Sequence, residues 1–139
     1  MMHLTRLNAC LTAVAFAALS ACAEGAGQEA EPAKVDFKPT YLGVQTILMD
    51  GDLVDFRVQM KGARNRDDVS DYARCAAAQY ALIRGYGFAR HLRTNIAESG
   101  GTWRGDAVYT ISASLPLGLR NIDAEVTVRD CAAQEIPTV

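Results

Sequence analysis

The sequence predicts an α+β fold: a two-layer sandwich of one helix on a mainly antiparallel sheet of four to five strands, in the order β-β-α-β-β-β. Three observations carry this. Val54, Phe56, Val58 and Met60 alternate with Asp55, Arg57, Gln59 and Lys61, the period-two pattern of a half-buried strand. Val69, Tyr72, Ala73, Ala76, Tyr80 and Ile83 recur at three- and four-residue spacing, one apolar face of a helix. Asp50-Gly51 separates two β-prone runs, a hairpin signal because both central turn positions favour positive φ.

The first strand is the apolar, β-branched run Tyr41 to Met49, and the second is the alternating run after Asp50-Gly51. A polar loop from Gly62 to Arg66 leads to Asp67 or Asp68 as helix N-cap, with Asp71 adding negative charge where the helix dipole favours it. Gly85 ends the helix. Tyr86 to Ile96 reads as a third strand, Glu98-Ser99-Gly100-Gly101 as a turn, and Asp106 to Leu115 as a fourth strand with Ala107, Tyr109, Ile111 and Ala113 on one face. Pro116-Leu117-Gly118 breaks the chain. Ile122, Ala124, Val126 and Val128 alternate with Asp123, Glu125, Thr127 and Arg129, which predicts a fifth strand. A single helix covers one face of such a sheet, so the other is expected to be polar and solvated.

The chain divides into three segments. Residues 1–21 read as a targeting segment: a short start bearing Arg6, then an apolar run from Leu11 to Leu19 that is too short to span a bilayer, which takes about 20 apolar residues. Residues 22–38 form a tether rich in Ala, Gly, Glu and Pro, with too little hydrophobicity to offset chain entropy. A coil of some 15 residues reaches roughly 20 Å. Residues 39–139 are then one small domain of about 100 residues. Without the first segment the chain carries 13 basic and 16 acidic side chains, a net −3. That balance gives no sign of a nucleic-acid partner, which calls for a basic face.

Leu19-Ser20-Ala21-Cys22 closely resembles the lipobox of bacterial lipoproteins, in register with the charged start and the apolar run. The resemblance covers residues 1–22. It implies cleavage before Cys22, a diacylglycerol on its thiol and acylation of the new amino terminus, with chains such as palmitate. Several acyl chains hold a protein stably at a membrane where one does not. Asp after the lipidated cysteine favours inner-membrane retention in this class. Ala23 and Glu24 stand there instead, so the expected address is the periplasmic face of the outer membrane. An ordinary secretory leader cut near Ala21 or Ala23 is the plainer alternative.

Of the remaining cysteines, Cys10 lies in the leader, leaving Cys75 and Cys131. Two cysteines in an oxidising compartment point to a disulfide, here from the helix to the end of the sheet, contributing about 4 kcal/mol by the chain-entropy argument. The rival reading keeps them as free thiols, one of them a nucleophile, and needs a base nearby. His91 is the one histidine after the leader, beside Arg90 and Arg93, whose charges would depress its pKa if close. A small hydrolase or thiol enzyme using His91 with Cys75 or a carboxylate is the enzymatic alternative.

One histidine and no Cys-x-x-Cys or His-x-x-x-His pair argue against zinc, and no phosphate-binding glycine loop or nucleophile elbow is present. No cofactor is expected. Asp50, Asp52 and Asp55, and Asp67, Asp68 and Asp71, cluster without the spacing of a calcium loop and read as solvated turns. Lys61, Arg64 and Arg66, with Arg57 on the preceding strand, form a basic loop able to meet anionic lipid or a cell-wall polymer, and Trp103 is a candidate binding anchor beside the Gly-Gly turn. Ordinary surface charge and a ring folded over the sheet edge are the bland readings of each. The whole resembles small bacterial envelope lipoproteins. This implies a membrane-anchored, non-enzymatic module that binds a protein or cell-wall partner or serves structurally, in an oligomeric state the sequence leaves open.

Overall fold

The computed structural model describes residues 36–139; the leader, Cys22 and nearly all of the tether lie outside the described residues. Five strands and two helices follow one another as β1 (Thr40–Leu48), β2 (Leu53–Lys61), α1 (Arg66–Ile83), β3 (Phe88–Ser99), β4 (Thr102–Ser112), β5 (Asn121–Asp123) and α2 (Ala124–Ala133). The sheet order is β1-β2-β4-β3-β5 and every neighbouring pair is antiparallel. The predicted α+β class holds, with a second helix added.

That second helix corrects the sequence reading of residues 122–129. Only Asn121 to Asp123 is strand, and the alternating run after it is the start of α2. The same residues carry a helical pattern: Ala124, Thr127 and Cys131 are buried at three- and four-residue spacing, while Val126 is exposed. Asp123 caps the helix by accepting from the Val126 N–H at 3.0 Å. In so short a run both periods fit, and the cap with the buried triad decides.

Helix α1 is capped by Asn65 rather than by Asp67 or Asp68. Asn65 Oδ1 accepts from the backbone N–H of Asp67 at 2.9 Å and of Asp68 at 3.3 Å. Its end is a Schellman turn: Gly85 N–H bonds Leu82 C=O at 2.9 Å and Tyr86 N–H bonds Ala81 C=O at 2.8 Å, with Gly85 at φ +80. The inner face is built of small residues, Ala73, Ala76, Ala77 and Ala81 with Val69 and Tyr72. Ile83, expected on that face, is instead 61% exposed, while Ala81 in the same turn is buried.

Small side chains let the helix lie close to the strands. At Gly105 a Cβ atom would stand 2.9 Å from Val69 Cγ1 and 3.0 Å from Val58 Cγ2, so glycine is what the helix–sheet contact admits there. Val54, Phe56, Val58 and Met60 of β2 meet Tyr109, Ala107, Gly105 and Trp103 of β4 in register on this face and, with the α1 residues, close one core. The sulfurs of Cys75 and Cys131 form a disulfide that ties α1 to α2. Core and disulfide both close within Tyr41 to Ile136, so residues 36–139 form a self-contained folding unit.

Candidate functional site

The strand order builds a site that no local stretch of sequence contains. On the face away from the helices, Gln45, Arg57, Asp106 and Asn95 come into one row across β1, β2, β4 and β3. Gln59, Arg104 and Ala97 form the next row. β-bulges at Tyr41/Gly43 in β1 and His91/Arg93 in β3 bend the two strands that flank the central pair. Between them lies a groove of about 700 Å³ lined by these residues.

A charge network runs through the groove floor, where Arg57 and Asp106 line it, and on to Asp55 and Arg93 beside it. Arg57 Nε donates to Asp55 Oδ2 at 3.0 Å and lies 3.8 Å from Asp106 Oδ2, and Arg93 donates to Asp106 Oδ1 at 2.9 Å. Asp55 was expected in a solvated turn cluster and on a solvated face; it is 5% exposed, with Val108 beside it at 4%. Ile47 on one side and Val108 on the other exclude water from it. Burial first, then the like charge of Asp106, push the Asp55 carboxyl above its ordinary pKa, against the pull of Arg57. Its Oδ1 has no hydrogen-bond partner among the described residues. Asp55 does not line the groove, so it acts as a foundation that holds Arg57 rather than as a group a ligand touches.

The groove's own surface is differently disposed. Gln45, Gln59, Asn95 and Arg104 are exposed. Among the described residues their side chains make no hydrogen bond and Arg104 no ion pair. The groove therefore presents amide donors and acceptors and one uncommitted guanidinium beside the paired Arg57 and Asp106. No aromatic ring, histidine or cysteine is among its lining residues.

The sequence of this fold matches the family described as the YNQ4 C-terminal domain, over residues 41–135. The chain belongs to that family. A curated relative is the uncharacterised 26.9 kDa protein in the nqo8 5′ region of Paracoccus denitrificans, 33% identical over 85 residues. Those residues are 61% of this chain and 33% of the relative, so the chain spans about a third of the relative's length. No solved structure matches the chain. Neither the family nor the relative points to a reaction.

The residues singled out from the sequence fall elsewhere on this YNQ4 C-terminal domain. Lys61 ends β2 on the groove side and is exposed. Arg64 is committed to Asp68 through Nε at 3.1 Å and Nη2 at 2.7 Å, and its guanidinium lies 3.9 Å over the Phe37 ring. Those hydrogen bonds hold the buried Asp68 carboxyl below its ordinary pKa. Arg66 donates to the Ile96 carbonyl at 3.3 Å. Trp103 pairs with Met60 on the helix side and packs half-buried against the core. These four are not brought together.

His91 lies on the helix side too, bonded through Nε2 to Thr94 Oγ1 at 2.7 Å, in a cleft of about 570 Å³ that also holds Arg74 and Arg120. Its pKa is lowered, first by burial and then by Arg120, rather than by the Arg90 and Arg93 flanks the sequence suggested. Cys75 is bonded to Cys131 and so has no thiolate to offer. Among the described residues no group of three or more His, Cys, Asp or Glu is arranged to hold a metal ion. No helix of the described residues is long and apolar enough to cross a membrane. Cys22 and the lipobox lie outside the described residues.

Apart from Arg57, the groove residues escaped the sequence reading because strand order, not spacing, gathers them. Their signal was the polar half of each alternating strand, which marks a face but not its neighbours.

Proposed function

We propose that this protein is a non-enzymatic envelope module, exported and lipid-anchored through Cys22 at the periplasmic face of the outer membrane. In this reading the open sheet face binds an extended, carboxylate-bearing cell-wall polymer. The observation that carries the binding role is the groove itself: four strands wide, open to solvent, with Arg104 and the amides of Gln45, Gln59 and Asn95 uncommitted among the described residues. Amides match hydroxyl and peptide groups, and a guanidinium matches a carboxylate with paired hydrogen bonds. An open trough suits a chain that passes through. The raised-pKa carboxyl that would suit acid catalysis, Asp55, is buried in the row beside the groove, outside its lining, and engaged with Arg57.

Co-sedimentation of residues 36–139 with purified peptidoglycan sacculi tests the binding role. Arg104→Glu, which touches no core contact, is expected to weaken binding by about tenfold, the worth of one charged hydrogen-bond pair. Equal binding by the variant refutes it. Cys22→Ser tests the anchor: the full chain should lose normal maturation and leave the membrane fraction, and unchanged processing and fractionation refute the lipid reading.

A further inference from the structure

The loop between β4 and β5, residues 113–120, carries Leu115, Leu117 and Leu119, which are 64%, 92% and 84% exposed. Such a concentration of bare leucine is unusual for a surface turn. The loop is not a slack connection. Asn121 Nδ2 donates to the carbonyls of Pro116 at 2.6 Å and Gly118 at 3.0 Å, and Ser112 Oγ donates to the Ser114 carbonyl at 2.7 Å. The Arg90 guanidinium lies flat beneath Gly118, about where a Cβ would be 3.3 Å from it, and Gly118 has φ +100. The backbone is thus pinned while the leucines point away from the core.

The charge carried by the loop itself is positive, although Asp52 and Asp123 stand at the same end of the sheet. The 113–120 segment contains no acid, Arg120 closes it, and Arg90 supports it from below. Neither arginine has a carboxylate partner among the described residues. We propose that this loop is a membrane-docking element, its leucines entering the acyl boundary of a bilayer while the exposed Arg120 meets anionic headgroups. Apolar tips beside an exposed arginine are the composition of an interfacial anchor. A second copy of the chain fits less well: three protruding leucines offer a few hundred Å², against the about 1,200 Å² that a stable protein interface buries. This inference is independent of the groove and of lipid on Cys22, since a domain lacking both still carries the loop.

The test is flotation of residues 36–139 with vesicles of phosphatidylcholine alone and of phosphatidylcholine mixed with phosphatidylglycerol. The wild-type domain should float with the anionic vesicles at least about tenfold better than with the neutral ones. The triple variant Leu115→Ser, Leu117→Ser, Leu119→Ser should lose about a hundredfold in binding with its thermal transition unchanged, because the removed groups touch no core. Arg120→Glu should lose about tenfold on anionic vesicles and nothing on neutral ones. A wild-type domain that stays unbound with both vesicles overturns the proposal. So does a triple-serine variant that floats as well as wild type, or a leucine-dependent dimer that forms without lipid and stays off the vesicles.

Discussion

Replacing Cys75 and Cys131 together by alanine removes the one covalent tie between α1 and α2. The bridge spans 56 residues of chain, and the loop-entropy relation for a closed loop of that size gives about 4 kcal/mol. Helix α2 has 10 residues and buries only Ala124, Thr127 and Cys131, too short and too thinly packed to persist by its own propensity. The loss should therefore appear in two places. Urea unfolding of residues 36–139 should show stability lower by about 4 kcal/mol, a large fraction of the 5–15 kcal/mol typical of a domain. Far-UV circular dichroism before the transition should show helix content reduced by α2, with α1 and the sheet retained. A loss below about 1 kcal/mol, or a fully native spectrum, refutes the reasoning that the bridge and not local propensity secures the second helix.

Gly105→Ala forces a methyl against Val69 and Val58 where α1 meets the sheet and should cost about 1–3 kcal/mol in thermal unfolding; a neutral result means the helix can lift without penalty. Asp68 contributes stability present above its unfolded pKa of 3.8 and lost as pH falls through its lowered folded value. Asp68→Asn should cost about 1–2 kcal/mol at pH 7 and flatten that acid limb, read from urea midpoints across pH. Asp55 has the opposite sign: its raised pKa gives stability present below 3.8 and lost as pH rises through the folded value. Asp55→Asn should therefore match or exceed wild type at pH 7 by up to about 1 kcal/mol and fall behind it at acid pH; a large loss at pH 7 refutes the buried-carboxyl account.

The elements with a strong local period were legible in the sequence. β2 shows its alternation and α1 its spacing, and the Gly85 stop forms the expected turn, because each is decided by contacts within a few residues. Residues 124–129 were misread because a four-position alternation also fits one helical face, and what selects helix there is the Asp123 cap and a sulfur bonded to a distant cysteine. Asp55 was assigned its face by period, yet its burial comes from Ile47 and Val108 on other strands, which no local rule supplies. The same holds for the groove. Asn95 and Gln45 stand at opposite ends of one row only because β4 lies between β2 and β3. Pro116-Leu117-Gly118 announced a break, but the outward setting of its leucines depends on Asn121 and Arg90 gripping the backbone.

The groove as binding surface is tested most directly by titrating isotope-labelled residues 36–139 with soluble peptidoglycan fragments and following amide shifts by NMR. Shifts should gather at Gln45, Gln59, Asn95 and Arg104 and require about tenfold more fragment in Arg104→Glu. A silent titration, or shifts gathered around His91 on the helix side, would contradict the assignment of the open sheet face.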